Sequence, residues 1–436
     1  AVRAMVRAMG RAAAVFAAAA AVVAASLVAP SDAARAAPPH GGLSSGVAGS
    51  PLRFDDEGLK ERFVALVRQR GYPSVEYHEV ETDDGYVLGM FRIPCGRNQT
   101  KCETDGKQAV LLWHGLFDSS FAFAFNDYNE SLSYVLADGG YDVWLPNSRG
   151  NFFSQKHAVY PTDSIEYWNF TWDDMAYQDL TTVIGYVCLA AETASIDYVG
   201  HSQGTTMMFA ALSDPKNNFF VAPLIHRFVA LAPVAFVNEM SNPFFDAAAK
   251  WNVIRLIEAF DRKDFFPDEA RLRAMLTGTC ELLGRACESL FALLSGFHKG
   301  GHLPFDTLEA YGAIAPAGTS VKNVAHWSLN IRSGRFCKFD YGSPEENERH
   351  YGNATAPDYD LAEAMLPSKT LLVAGGKDNI ADGQDVAALM RALRQAASRQ
   401  EGDPSVELLP VPGYDHLDFT LADDTWQEVY RNVLAF

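Results

Sequence analysis

Positive charge is scarce in this 436-residue sequence: 36 Lys and Arg stand against 54 Asp and Glu, a formal net charge of -18. That deficit excludes the basic footprint of a nucleic-acid binder and opposes docking on anionic membranes. It sets no limit on neutral substrates such as lipids. Long apolar runs are missing too. Beyond the first forty residues no 18-residue stretch is apolar and free of charge, so the body holds no hydrophobic helical span. There is no internal repeat, and cysteines number only six. Hydrophobic content of 48% and charged content of 21% are those of an ordinary globular chain, long enough for one large domain with an insertion or for two domains.

Acidic residues are absent before Asp32, where Arg3, Arg7 and Arg11 precede an Ala/Val-rich run. Small residues around Ala34-Arg35-Ala36 suit a cleavage site, so residues 1–36 read as a secretory signal peptide. An uncleaved signal anchor and an Arg/Ala-rich organelle transit peptide share these features and stay open. Asn98, Asn129, Asn169 and Asn353 each begin an Asn-x-Ser/Thr glycosylation site, which fits a secreted, lysosomal or vacuolar destination. Cys95 and Cys102 flank a polar loop suited to a short disulfide. Cys280 and Cys287, if on one continuous helix, lie about 10 Å apart and cannot join; either that helix breaks or they stay unpaired. Cys188, in an apolar run, reads as a core thiol.

From residue 75 the chain alternates strand-like segments (75–80, 86–93, 109–113, 142–145, 196–199, 228–231, 370–373, 406–411) with helical ones (173–187, 205–213, 385–396). The central strands are short and almost wholly apolar, as parallel strands covered on both faces must be. The expected fold class is therefore α/β, with a mostly parallel eight-stranded sheet. A Pro/Gly/Ser-rich linker at 37–52 precedes the core, which divides into 53–237 and 365–436. Between them, 238–364 reads as helices and loops rich in aromatic residues, an expected cap over the sheet's C-terminal edge.

Two stretches fit Gly-x-Ser-x-Gly. Gly42-Leu43-Ser44-Ser45-Gly46 has no strand before it and no helix after it. Gly200-His201-Ser202-Gln203-Gly204 has both, the context of a nucleophile elbow. A serine hydroxyl needs a base, and the base an orienting carboxylate. On this sheet the carboxylate follows a late strand and the histidine the last one. His416 is the only histidine after residue 350. Asp378 directly follows the Gly-rich turn after 370–373, whereas Asp382 suits a helix cap. The oxyanion of an acyl-transfer intermediate needs N–H donors. Gln203, after the nucleophile, and Leu116, in the His114-Gly115-Leu116 loop after the third strand, supply them. His114 fixes that loop.

Together LLWHGLFDSS, GYDVWLPNSRGN, YVGHSQGTT, LAPVAFV, PAGTS with HWS, GGKDNIAD and YDHLDF make residues 53–436 resemble the acid lipases, the group of gastric and lysosomal acid lipases. The stretch YPSVEYHEVETDDGYVLGMFRIPCGR resembles that family's lipase-associated region. The resemblance implies an α/β-hydrolase fold and hydrolysis of triacylglycerols, cholesteryl esters or related neutral lipid esters, with no metal, cofactor or obligate protein partner. It carries over Ser202 as nucleophile, Asp378 as acid, His416 as base, and Leu116 and Gln203 as oxyanion donors. Contact with a lipid droplet or emulsion surface through the cap is implied as well. The family's GFD appears here as Gly296-Phe297-His298, after Ser295 where a cysteine is expected. A carboxylesterase or acyltransferase acting on soluble esters shares the same triad, and a non-catalytic binding module shares the fold.

Three other groupings have plainer readings. His298 and His302 are separated by Gly300 and Gly301, which suits a loop better than a metal site. Asp173, Asp174 and Asp179 read as an acidic helix start. The aromatic residues Trp251, Phe260, Phe265 and Phe266 read equally as core or as an acyl-chain tunnel.

Overall fold

The structure is a computed structural model and describes residues 56–99, 102–242, 245, 264 and 302–436. The signal and linker readings therefore lie outside the described residues, as do Cys280, Cys287, His298 and the aromatic set at 251–266.

Among the described residues nine strands form one sheet: β1 (Glu76–Glu81), β2 (Tyr86–Ile93), β3 (Ala109–Trp113), β4 (Asp142–Pro146), β5 (Lys156–His157), β6 (Ile196–His201), β7 (Ile225–Leu231), β8 (Lys369–Gly375) and β9 (Ser405–Val411). Their order is β1-β2-β4-β3-β6-β7-β8-β9, with β5 beside β2. From β4 to β9 neighbours run parallel, while β1, β2 and β5 add antiparallel pairings at one end. The eight expected strands are all present. The ninth, β5, has two residues and is too short to show any period in the sequence.

Every residue of β3, β4 and β6 is buried, because helices cover both faces of the sheet centre. Helices used below are α1 (Asp56–Gln69), α2 (Leu132–Asp138), α3 (Leu180–Ala190), α4 (Gln203–Ser213), α5 (Asn218–Leu224), α6 (Phe305–Tyr311), α7 (Val321–Ser333), α8 (Pro344–Tyr351) and α9 (Gly383–Arg399). The helix expected at 173–187 is three pieces: Trp172–Asp174, a π-helical turn at Met175–Asp179, and α3. In α1, Leu59, Phe63 and Val67 recur every fourth residue and are buried. Phe63 stacks on Phe91 of β2 with ring centroids 3.9 Å apart.

The topology positions the site. β3 lies between β4 and β6, so the chain leaves β3 on one side and returns on the other. The loops after β3 and β6 diverge, opening a crevice at the C-terminal ends of the strands. The loops after β8 and β9 come next along the same edge, and α6, α7 and α8 belong to the long insertion between β7 and β8.

Cys95 and Cys102 form the expected disulfide. Cys188 differs from expectation: it is half-buried on α3, against the margin of the core rather than within it. Asn98, Asn169 and Asn353 are exposed and Asn129 is half-buried.

Candidate active site

β6 delivers Ser202 into a turn that only close glycine packing permits. Ser202 has φ 52° and ψ -120°, a conformation that costs a non-glycine residue about 1–3 kcal/mol and persists only where surroundings enforce it. The Ser202 N–H donates to the Leu231 carbonyl at 3.1 Å, and the Thr205 N–H donates to the Ser202 carbonyl at 2.8 Å. A Cβ on Gly200 would sit 2.7 Å from the Gly204 carbonyl carbon. One on Gly204 would sit 2.4 Å from the Trp113 oxygen. The two motif glycines therefore let the strand, the turn and β3 touch, and the turn throws the Ser202 side chain into the crevice.

The triad residues meet there. His416 Nε2 lies 2.8 Å from Ser202 Oγ, and His416 Nδ1 lies 2.8 Å from Asp378 Oδ2. The other Asp378 oxygen accepts the Ile380 and Ala381 N–H groups, both at 2.9 Å. Burial works against the Asp378 carboxylate. The facing His416 and the two amides outweigh it, so its pKa falls below the ordinary value. Asp382 caps α9, accepting the Gln384 N–H at 2.8 Å.

Two more histidines flank the site, each neutral. Burial pushes His114 down to about 4. Its Nδ1 donates to the Gly115 carbonyl at 2.8 Å, and its Nε2 accepts the Ser148 N–H at 3.0 Å. These two bonds tie the loop after β3 to the turn after β4. Burial, then the proximity of His416, pushes His201 down to about 3. His201 Nε2 faces the His416 carbonyl at 2.9 Å, so that nitrogen carries the hydrogen. Gly115 approaches the nucleophile so closely that a Cβ there would lie 3.0 Å from Ser202 Cβ. Gln203 opens α4, where a helix leaves its first N–H groups without internal partners.

Sequence reasoning missed a set of residues from the insertion. The Gln203 side chain is buried, and its Oε1 accepts Asn323 Nδ2 at 3.0 Å and Trp327 Nε1 at 2.8 Å, both from α7. Tyr311 at the end of α6 donates to Asp118 in the loop after Leu116. Burial raises the Asp118 carboxyl to about 6. The one sequence signal was the four-residue spacing of Asn323 and Trp327, which puts both on one helix face.

The acidic cluster resolves into separate structural roles. Asp174 completes a capping box with Thr171, and Asp173 accepts the Tyr359 hydroxyl at 2.6 Å and the Phe339 N–H at 2.8 Å. Asp179 departs from the expected helix-start role: it is fully buried and paired with Arg149 at 2.6 Å. His302 pairs with Asp424 at 2.5 Å.

Comparison with known proteins shows the family. The family model described as alpha/beta hydrolase fold matches residues 108–420, and that of the partial alpha/beta-hydrolase lipase region matches 63–127. The chain belongs to the α/β-hydrolase lipases. This family member is 40% identical to gastric triacylglycerol lipase of Rattus norvegicus over 374 residues, 85% of this chain and 90% of the relative. The human gastric enzyme is 37% identical over 380 residues, covering 85% and 89%. Lysosomal acid lipase/cholesteryl ester hydrolase of Rattus norvegicus is 33% identical over 396 residues, covering 90% and 95%.

Proposed function

We propose that this protein is a serine carboxylic ester hydrolase that cleaves neutral lipid esters, of the triacylglycerol or cholesteryl ester type. The unbroken chain from Asp378 through His416 to Ser202 Oγ is the observation that carries the reading. Similarity to lipases over most of the chain supports the substrate class.

In this mechanism His416 Nε2 takes the Ser202 proton as Oγ attacks the ester carbonyl. The tetrahedral oxyanion is held by the main-chain N–H groups of Leu116 and Gln203. The carbon–oxygen bond to the alcohol then breaks, and the departing alkoxide takes the proton from His416, leaving an acyl group on Ser202. Water, deprotonated by the same nitrogen, attacks the acyl carbonyl; the fatty acid leaves and Ser202 regains its proton. Asp378 holds the His416 tautomer and stabilises the imidazolium.

Residues 238–364 are proposed as the cap above this site, and the N-terminal signal as the route into the secretory pathway. Among the described residues no helix is long and apolar enough to cross a membrane.

Wild type and Ser202→Ala are to be compared on emulsified long-chain triacylglycerol and on a soluble short-chain ester, at pH 4 to 8. Serine-dependent fatty-acid release from the emulsion is expected. Hydrolysis of the soluble ester alone would make the protein a carboxylesterase and overturn the lipid reading.

A further inference from the structure

Residues 311–327, in the insertion between β7 and β8, grip both loops assigned as oxyanion donors. On the elbow side, Gln203 is held at both ends of its carboxamide. Oε1 takes hydrogen bonds from Asn323 and Trp327, while Nε2 lies 3.4 Å from Met175 Sδ. Asn323 is itself fixed, donating a second hydrogen bond to Thr319 Oγ1 at 3.1 Å. On the other side, the Ala317 N–H donates to the Phe117 carbonyl at 2.7 Å, and Tyr311 bonds Asp118. Phe117 has φ 62° and packs against Val321 and Val324 of α7.

Both donor loops are thus strained at a residue adjoining a donor, Ser202 before Gln203 and Phe117 after Leu116. Strain of this kind lasts only where surrounding contacts over-determine it, and α7 supplies such contacts to each loop. We propose that Trp327 and Asn323 are positioning residues for the oxyanion hole: by clamping the Gln203 carboxamide they aim the Gln203 main-chain N–H at the reacting carbonyl oxygen. The inference rests on the acyl-enzyme reading above. The N–H acts on substrate; the clamp acts only through Gln203. Aiming matters because losing one oxyanion donor outright costs roughly 10²–10³ in kcat, so a misdirected donor costs an appreciable part of that. A cluster that merely filled space would lower stability and leave the chemical step alone.

The test uses the full chain carrying Trp327→Phe, which keeps an aromatic ring and removes the N–H. It is measured alone and in a Gln203→Met background, where the clamped carboxamide is gone and the main-chain N–H remains. Two readouts are taken: kcat and KM on a soluble p-nitrophenyl ester, and the rate at which a fluorophosphonate labels Ser202. Labelling passes through a charged phosphoryl oxygen held by the same donors and needs no ester. Trp327→Phe alone is expected to lower kcat and the labelling rate by about tenfold each, with KM within about twofold. In the Gln203→Met background it is expected to have no further effect. Asn323→Ala is expected to lower both rates about threefold or more, and it carries the test if Trp327→Phe does not fold. Rates within about twofold of wild type in a folded variant would overturn the proposal. So would an equal loss from Trp327→Phe in both backgrounds. If wild type labelled at Ser202 but cleaved no ester, the lipase reading would fall, and the labelling comparison would still decide the clamp.

Discussion

His201 Nε2 lies 2.9 Å from the main-chain oxygen of His416. The residue before the nucleophile thereby holds the backbone of the base. Substituting His201→Phe leaves the buried His416 carbonyl without its donor, at a cost of about 1–3 kcal/mol in stability. It also frees His416 to drift from Ser202, and a small misplacement of a catalytic group is expensive. The expected result is a kcat lowered about tenfold or more with KM nearly unchanged, read from steady-state kinetics beside a urea melt.

Asp378→Asn keeps the shape of the site and removes the charge that fixes the His416 tautomer. A kcat loss of about 10⁴ is expected with the protein still folded. Because the Asp378 pKa lies below its ordinary value in the fold, its contribution to stability is present above the unfolded carboxylate pKa. That contribution is lost only as pH falls through the still lower folded value. Wild type is therefore expected to keep this carboxylate ionised through the mildly acid range. A pH series of kcat in wild type and the variant checks it: the variant should stay about 10³-fold or more below wild type throughout pH 7 to 5.

His326 on α7 is fully buried, and burial lowers its pKa to about 3. The folded protein thus refuses a proton that the unfolded chain accepts near 6.5. Stability linked to His326 is complete above that value and drains as pH drops toward the folded one. His326→Gln can keep the bond to the Cys337 carbonyl, which His326 Nε2 makes at 2.8 Å, without this proton linkage. The variant's deficit in unfolding free energy at pH 7.5 is expected to shrink by about 3 kcal/mol at pH 4.5, measured by urea denaturation at both values.

Arg149 lies fully buried between Asp84 and Asp179, with contacts of 2.7 Å and 2.6 Å. Arg149→Met strands two carboxylates, one of them entirely enclosed, and is expected to cost about 3–5 kcal/mol. Equilibrium unfolding at neutral pH measures it.

The sheet was legible because its central strands are nearly pure apolar runs, and the nucleophile turn because, of the two Gly-x-Ser-x-Gly stretches, only that at Ser202 runs from a strand into a helix. Asp378 could be separated from Asp382 because only Asp378 follows the glycine turn directly; in the structure Asp378 lies 2.8 Å from His416 Nδ1, whereas Asp382 accepts the Gln384 N–H. What stayed hidden depends on partners distant in the chain. The clamp on Gln203 joins residues separated by 120 and 124 positions, and the Arg149 ion pairs join residues 30 and 65 apart. No local period reports such pairings. The Met175–Asp179 π-helical turn was invisible for another reason: its composition suits an α-helix as well. Cys188 misled because an apolar neighbourhood in sequence does not fix which way a helix face points.

The most direct test of the central claim is to locate the covalent adduct. Wild type is incubated with a fluorophosphonate, digested and mapped by mass spectrometry while ester hydrolysis is followed in parallel. One equivalent of label on the peptide carrying Ser202, with hydrolysis lost in proportion, is the expected result. Labelling elsewhere with activity lost, or hydrolysis surviving full modification of Ser202, would contradict it.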